Sequence, residues 1–318
     1  MDQPNFTTAN FNFSSPGFCQ PSWNRKGLVS AVVFSFCFLL GVPGNIAVIL
    51  LKPNWKHLSS LSQSLMLNLT LSDLICLLTI PLWIYNLIFG WTFGLVACKV
   101  LAYLVYCTVY CSQLTVTVLS IQRYLVVVRG WRCHQVQKSV LLVLLWLTAA
   151  ILCIHAVVTE QLVTDDQWIR CRPHYSSETE WVAVLVIENL YGLVTFSLIA
   201  FSYICLYKKV NRAAFFNNPQ TNRLVIGIIV SNCILFAPLH VINVLGVLAI
   251  SIKNYNLLKF CIDNWNTAKC LTFVNSSLNP FLYVFMSTTI CPFCLNKELL
   301  QQDEIIPQTP DVATIAEL

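Results

Sequence analysis

Polar residues inside apolar segments are the residues of this chain whose types and spacing could do chemistry. Asp73 lies within the run LNLTLSDLICLL, and Asn275 and Asn279 lie four residues apart on one face of another apolar run. An ionised carboxylate in such surroundings needs a compensating charge. Ser112 and Ser276 add hydroxyl oxygens, so the five residues suit a small monovalent cation. They could equally form a hydrogen-bonded knot that joins helices, and both interpretations stay open.

The elements that must position these residues are membrane-spanning helices. The chain has 318 residues, of which 57% are hydrophobic and only 10% are charged, whereas about a quarter of the residues of a soluble domain are charged. Seven apolar stretches are long enough to cross a bilayer core of roughly 30 Å. Backbone groups in lipid need internal hydrogen bonds, so each stretch is predicted to be helical. The stretches lie near residues 27–51, 61–88, 96–127, 139–162, 181–207, 223–250 and 266–287.

The pattern predicts an all-α membrane protein, a seven-transmembrane helix bundle with a short amphipathic eighth helix. We expect an extracellular head at 1–25, the bundle at 26–290, and the eighth helix with a short cytoplasmic tail at 291–318. The sequence has no basic block for nucleic acid, no transporter-like repeat and no alternating segments of a pore barrel. It also has no nucleophile–base pair or metal-ligand cluster, so neither an enzyme nor a metal site is expected.

The basic residues of the connections and two glycosylation sequons predict the orientation. Eleven lysines and arginines fall on one side and eight on the other, and the richer side is expected to be cytoplasmic. Asn5 and Asn12 begin sequons in the polar head. We therefore expect a multi-pass plasma-membrane protein with an extracellular N-terminus that is glycosylated at both asparagines.

Cysteines near the outer ends of the spans predict a disulfide. Cys98 opens the third span and Cys171 lies in the outer loop after the fourth, where an oxidising compartment favours a bond between them. A second bond could join Cys19 to Cys261 or Cys270, or join the last two to each other, because sequence alone does not fix connectivity.

Prolines and cysteines mark the sixth and seventh spans. Pro238 and Pro280 remove backbone donors inside these spans, which suggests a bundle that can change shape. Cys291 and Cys294 follow the seventh span beside a short amphipathic stretch, where they suit palmitoylation, although free thiols fit as well.

Eight features in chain order carry a resemblance to a known family. They are Asn45, Leu69-x-x-x-Asp73, Cys98 with Cys171, Arg123-Tyr124, Trp146, Tyr203, Pro238 and Asn279-Pro-x-x-Tyr283. On these residues the chain resembles a rhodopsin-like (class A) G-protein-coupled receptor over residues 25 to 300. The resemblance implies an outward ligand pocket, an allosteric Na⁺ site near Asp73 and an inner cleft for a heterotrimeric G protein. It assigns coupling and activation to Gln122, Arg123, Tyr124, Tyr203, Pro238, Asn279, Pro280 and Tyr283.

Shorter motifs narrow the resemblance. TIPLW at 79–83, WTFG at 91–94 and SLNPFLYVF at 277–285 look like the chemoattractant branch. The segment 223–244 and IENLYG at 187–192 are similar to the leukotriene B4 receptors. The expected function is therefore a receptor for an extracellular lipid mediator, leukotriene B4-like, that signals through an inhibitory-type G protein, with arrestin as a further partner. The alternatives are a chemokine or peptide chemoattractant receptor and a non-signalling scavenger.

The chain departs from the leukotriene receptors at positions that would hold their ligand. Ala102 stands where those receptors carry a histidine, and Glu160 stands near the position of an arginine. Thr195 replaces the usual proline of the fifth span, and Phe236 replaces the usual tryptophan of the sixth. Two polar handles for a hydroxylated fatty acid are therefore absent.

Residues around the outer mouth form the predicted ligand site. Lys269 shares a helical face with Phe273 and Ser276 and points inward. Cationic groups at the mouth of an apolar bundle suit an amphipathic carboxylate. Alternatively, Lys269 pairs with Glu188 and the arginines are solvated. The predicted ligand-binding residues are Glu188, His240, Asn243, Lys269, Phe236, Arg170 and Arg172.

Gln122 stands where most members of the family carry an acid immediately before the arginine. A carboxylate there would hold Arg123 in a closed arrangement through a charge-assisted hydrogen bond, and an amide holds it less strongly. We therefore expect raised ligand-free signalling, which Gln122→Glu should reduce.

Overall fold

The helices and strands cover almost all of the chain that the computed structural model describes, namely residues 25–52, 59–130, 137–165, 168–212 and 219–288. In chain order they are α1 (Arg25–Leu51), α2 (Ser60–Leu78), α3 (Ile80–Phe89), α4 (Gly94–Val128), α5 (Lys138–Leu152), α6 (Ile154–Thr159), β1 (Glu160–Asp165), β2 (Trp168–Pro173), α7 (Glu178–Arg212), α8 (Pro219–Ser251) and α9 (Tyr255–Thr288).

These helices make seven crossings. α2 with α3 forms the second crossing and α5 with α6 forms the fourth, while α1, α4, α7, α8 and α9 are the first, third, fifth, sixth and seventh. Six of the crossings are long and apolar enough to span a bilayer by length and composition. The seventh, α9, is more polar in its outer half, where Asp263, Asn264 and Asn266 interrupt the apolar run. The all-α seven-helix bundle expected from the sequence is confirmed.

α4 is the central helix of the bundle. It packs against α2, α5, α6, α7 and α8, and α9 closes the ring by packing against α8, α1 and α2. The largest core cluster lies around α4 and contains the fully buried side chains of Leu65, Met66, Leu69, Val116 and Leu119. The apolar stripe of each helix therefore faces its neighbours, and the remaining apolar residues of each helix lie on the outside, as lipid requires.

The second crossing is broken at Thr79. The Thr79 hydroxyl donates to the carbonyl oxygen of Cys76 over 2.6 Å, and Pro81 has no N–H with which to continue the helical ladder. The new direction of α3 places Trp83 6.1 Å from Trp91, measured between ring centroids. It also places Asn86 against the outer loop.

A two-stranded hairpin, which the sequence did not predict, covers the outer end of the fourth crossing. The helix ends at Thr159 and not at 162, because the chain becomes extended at Glu160 and pairs with β2, with Leu162 opposite Cys171. The predicted Cys98–Cys171 disulfide is confirmed. Asn86 fixes the same strand, since its side chain both accepts from the Cys171 N–H and donates to the Cys171 carbonyl, each over 3.3 Å.

Several predictions concern residues outside the described ranges or remain open. Cys261 and Cys270 both carry free thiols, so they are not bonded to each other. α8 and α9 run continuously through their prolines, and the hinge stays a prediction. The residues that lie outside the described ranges are Asn5, Asn12, Cys19, Cys291, Cys294 and the eighth helix, and the side chain of Tyr283 is likewise not described.

Candidate ligand pocket and signalling core

Glu188 joins three crossings in the outer half of the bundle. It lies on α7 and accepts a hydrogen bond from Asn243 Nδ2 of α8 over 2.9 Å. His155 Nε2 of α6 lies 3.4 Å from the other carboxylate oxygen, at ion-pair distance, and His155 Nδ1 lies 2.9 Å from the Leu152 carbonyl. The acid is therefore held by a ring and an amide from neighbouring helices. The sequence prediction missed His155, although a histidine inside an apolar span was a usable signal.

Lys269 lies on α9 and faces aromatic side chains. Its Nζ donates to the Tyr106 hydroxyl over 2.8 Å and lies 5.4 Å from the centroid of the Tyr106 ring and 5.9 Å from that of Trp265. These distances fit cation–π contacts. No carboxylate of the described residues lies within 4.0 Å of the ammonium, so Lys269 makes no direct ion pair with Glu188, although their charges are close enough to interact.

Glu160 is a buried acid at the outer end of the pocket wall, where β1 begins. Only 4% of its surface is exposed, and the Cys171 sulfur lies 3.9 Å from its Oε2. Because that sulfur is bonded to Cys98, it carries no proton to donate. Burial raises the pKa of Glu160 to about 7, although Lys269 and His155 favour its charged form.

An aromatic stack crosses the outer mouth between α7 and α9. Tyr175 stacks on Trp181 at 5.4 Å between ring centroids, and Trp181 stacks on Trp265 at 6.1 Å. The indole nitrogens of Trp181 and Trp265 are buried and have no hydrogen-bond partner among the described residues. Since an indole N–H can only donate, both groups are available to an acceptor from outside the chain.

His240 reaches across from α8 to α7. Its ring lies edge-on to Phe196, 5.2 Å between centroids, and presses against Gly192 so closely that a Cβ on Gly192 would overlap the imidazole. Both ring nitrogens are buried without a hydrogen-bond partner in the described part of the chain. Gly192 is thus required by the close approach of this ring.

The structure brings part of the predicted ligand set together. Glu188 and Asn243 are bonded to each other, and Lys269 lies close enough to Glu188 for their charges to interact. Phe236 is buried one turn deeper in α8 than His240. The two arginines lie on β2, apart from these helices, where Arg170 is partly buried and Arg172 is exposed.

Asp73 has hydrogen-bond partners on two other crossings. Its carboxylate accepts from Ser112 Oγ of α4 over 3.1 Å and from Asn279 Nδ2 of α9 over 2.6 Å. Three amide oxygens in this buried region have no donor among the described residues, those of Asn45, Asn275 and Asn279. A carboxylate together with acceptor oxygens that lack donors fits a Na⁺ ion. The hydrogen bonds of the alternative knot are present as well.

At the inner end of α4, Gln122 does not hold the arginine. Its amide oxygen accepts from Ser62 Oγ over 3.0 Å and its amide nitrogen donates to Ser59 Oγ over 2.9 Å, so the side chain is tied to the beginning of α2. Arg123 Nε and Nη2 are buried and have no partner among the described residues. The hydroxyl of the next residue, Tyr124, accepts a hydrogen bond from Arg129 Nε over 3.2 Å.

A polar layer that the sequence prediction missed lies midway between the two ends. Gln113 Nε2 of α4 donates to Thr195 Oγ1 of α7 over 3.1 Å. Asn232 of α8 is completely buried, and neither of its amide atoms has a partner in the described residues. One turn further in, Val116, Ile199 and Ile228 of the same three helices share a core cluster, so the three polar residues lie at one level. Three polar side chains thus occupy a position where an apolar contact would be expected.

Comparison with known proteins gives the chain a family. The model of a family described as 7 transmembrane receptor (rhodopsin family) matches residues 44–283. The Homo sapiens C-C chemokine receptor type 8 is 28% identical over 287 residues, which cover 86% of this chain and 80% of that receptor. The Danio rerio C5a anaphylatoxin chemotactic receptor 1 is 27% identical over 89% of this chain and 86% of its own length. The Danio rerio Apelin receptor A is 26% identical over 89% and 85%.

These relatives bear directly on the expected function. By name they are receptors for a chemokine, an anaphylatoxin and apelin, which supports the chemokine or peptide alternative better than the leukotriene interpretation. Members of the family are multi-pass membrane receptors that respond to extracellular ligands and couple to G proteins, and they are not enzymes. Because the family model matches more than half of the chain, this protein belongs to the rhodopsin family of seven-transmembrane receptors, the G-protein-coupled receptors.

Proposed function

We propose that this protein is a plasma-membrane receptor for a peptide or protein chemoattractant and that it activates a heterotrimeric G protein of the inhibitory type. The N-terminus and the hairpin face outward, and the ligand enters between α4, α7, α8 and α9. The observation that carries the proposal is the likeness to chemokine, anaphylatoxin and apelin receptors along more than four fifths of the chain.

The pocket geometry agrees with such a ligand. The outer half holds an anionic group on one wall, at Glu188, and a cationic group on the other, at Lys269, with Tyr106 and Trp265 between the helices. A peptide end presents backbone amides, carbonyls and charges of both signs, so it can satisfy both walls at once.

The inner half supplies the signalling part of the proposal. Arg123 offers two buried donors that have no partner among the described residues, and the inner ends of α4 and α7 meet where Tyr124 packs 5.6 Å from Phe201 between ring centroids. A G protein that inserts a segment there would provide acceptors. Arrestin is proposed as a second partner of the same cleft, and Na⁺ as the ion at Asp73.

A cell assay tests the proposed function. Cells that express the receptor would be exposed to chemokines, C5a and apelin peptides and, separately, to lipid acids that include leukotriene B4. The readouts are G-protein dissociation and the fall in cyclic AMP. We expect a response to a member of the peptide panel, with none in cells that express the same amount of Arg123→Ala at the surface. A response confined to lipid acids would reject the peptide proposal.

A lipid acid stays the second candidate because of one observation. Lys269 has no carboxylate within 4.0 Å among the described residues, and it lies against aromatic rings that suit an apolar tail. Against this candidate, the receptor lacks the histidine and the arginine that leukotriene B4 receptors carry at the positions of Ala102 and Glu160. The lipid arm of the assay decides between the two candidates.

A further inference from the structure

Lys269 is a charged group of the pocket that no carboxylate of the described residues contacts within 4.0 Å, although the charges of Glu188 and Glu160 act on it from further away. An ammonium carries three N–H donors, and the Tyr106 hydroxyl, 2.8 Å away, takes one of them without neutralising the charge. The aromatic faces of Tyr106 and Trp265 stabilise the cation but accept no ordinary hydrogen bond. At least one strong acceptor is therefore missing at this position.

Of the two acids in the same pocket, one is held by other side chains and the other is buried away from Lys269. Glu188 already receives a hydrogen bond from Asn243 and faces His155 at ion-pair distance. Glu160 is buried beside the disulfide, and burial raises its pKa to about 7. Neither acid comes within 4.0 Å of Lys269 Nζ.

Further donors near Lys269 lack acceptors. Trp265 lies one helical turn before Lys269 on α9 and stacks on Trp181 of α7, and the indole nitrogens of both are buried and unpartnered among the described residues. One ammonium and two indole N–H groups thus gather on facing helices. An anion that only accepts hydrogen bonds fits these donors, and in the two candidate ligand classes, peptides and lipid acids, that group is a carboxylate.

We infer that Lys269, with Tyr106 and Trp265, is the seat of a carboxylate of the activating ligand. The carboxylate is either the free C-terminus of a peptide or the head group of a lipid acid. The inference rests on the proposed function, because it takes the outer pocket to be the site where the activating ligand binds.

Matched pairs of probes test the inference on the purified, detergent-solubilised receptor. One arm is a library of short peptides, each made as the free C-terminal acid and as the amide. The other arm is a set of long-chain hydroxy fatty acids and their methyl esters. Binding is measured as the rise in the melting temperature with probe concentration. The variants are Lys269→Gln, Lys269→Arg and, as a control, Lys259→Gln, which changes an exposed lysine of the same helix.

We expect free acids of one arm to bind the wild type and Lys259→Gln about tenfold or more tightly than the neutral forms. The preference should vanish in Lys269→Gln and be retained in part in Lys269→Arg. The arm that shows the preference identifies the source of the carboxylate. Equal binding of acid and neutral forms, binding in neither arm, or an acid preference that survives Lys269→Gln would overturn the inference. If the glutamine variant does not fold, Trp265→Phe, which removes one indole donor of the same seat, should weaken the preference for the acid, and an unchanged preference would overturn the inference.

The same probes separate the inference from the proposed function. Acids that bind through Lys269 but activate no G protein in cells would reject the proposed function and leave the carboxylate seat standing. Probes that activate the receptor equally as acids and as amides or esters would reject the carboxylate seat and leave the proposed function standing.

Discussion

Glu188 in the outer half and Arg123 in the inner half are both charged groups inside the bundle, and their surroundings differ. Glu188 is held from α6 and α8 by a histidine and an amide, whereas two nitrogens of Arg123 are buried with no partner among the described residues. A buried charge with partners ties its neighbours into one arrangement. A buried donor without a partner favours any arrangement that provides an acceptor. The difference indicates that the outer half is held in its arrangement while the inner half stands ready to exchange contacts.

Substitution of Arg123 gives the strongest test of this difference between the two halves. We expect Arg123→Ala to lower G-protein activation by at least about 30-fold, because an arginine that meets acceptors in an interface commonly contributes about 2 kcal/mol or more. Ligand binding at the surface should persist. The measurement is G-protein dissociation at matched surface expression, with Lys209→Ala, an exposed basic residue of α7, as the control. Normal signalling by Arg123→Ala would show that the buried guanidinium donors have no role in coupling.

Glu188 should matter for stability instead. Glu188→Ala removes the acceptor of Asn243 Nδ2 and the carboxylate that His155 Nε2 faces at 3.4 Å, and we expect it to lower the free energy of unfolding by about 3 kcal/mol. The melting temperature of the purified receptor without ligand measures the effect. Glu178→Ala, an exposed acid in the first turn of the same helix, should change the melting temperature little. Equal values for the two variants would mean that Glu188 does not tie the outer half together.

Glu160 allows the outer half to be tested with pH. Its pKa is raised from 4.5 to about 7 in the folded receptor, so the folded state binds the proton more tightly than the unfolded state. Stability should therefore be greatest at low pH and fall as the pH rises from about 4.5 to about 7, by up to about 3 kcal/mol. Lys269 and His155 face this acid and reduce the effect. Glu160→Gln should remove this dependence in melting curves, and a slope that persists would assign it to another group.

Asn232 and Gln113 give a pair of substitutions with opposite expected signs. Asn232→Leu removes a buried amide that has no partner within the described ranges and should stabilise the receptor by about 1–2 kcal/mol. Gln113→Leu removes the donor to Thr195 and should destabilise it by about 1 kcal/mol. Melting temperatures of the two variants measure both signs. If Asn232→Leu is also destabilising, its amide has partners in the folded receptor, such as water.

The smallest expected effect is on ligand-free signalling. Gln122→Glu places a carboxylate beside Arg123 and should reduce basal activity on the order of twofold to fivefold. The substitution also removes the hydrogen bond that Gln122 Nε2 now donates to Ser59 Oγ, because a carboxylate has no N–H. Gln122→Leu, which can neither hold Arg123 nor bond to α2, serves as the control and should not reduce basal activity. Basal G-protein activation that is the same in Gln122→Glu and wild type would contradict the expectation.

The sequence predicted the crossings well because lipid imposes long apolar stretches whose lengths can be read directly. It also predicted the disulfide and the grouping of Asp73 with Ser112 and Asn279, which the structure places within hydrogen-bond distance. The expected eighth helix and sugar sites stay predictions, and the leukotriene-like ligand is less well supported than a peptide.

Contacts between distant helices were beyond prediction. Helical spacing shows which residues share a face, but it does not show how far two helices are rotated against each other. Tyr106 and Lys269 are 163 residues apart, and Gln113 and Thr195 are 82 residues apart. The hairpin was missed for another reason, since its strand β1 continues an apolar run that favours a longer helix.

The disulfide between Cys98 and Cys171 also constrains how the receptor is made. The two cysteines are 73 residues apart, and between them the chain crosses the membrane along α4 and returns along α5 and α6. They reach the same compartment only after both crossings have been inserted in opposite directions. A chain in which the return crossing failed would leave the two thiols on opposite sides of the membrane, where no oxidant could join them. Formation of this bond therefore requires correct insertion of the third and fourth crossings.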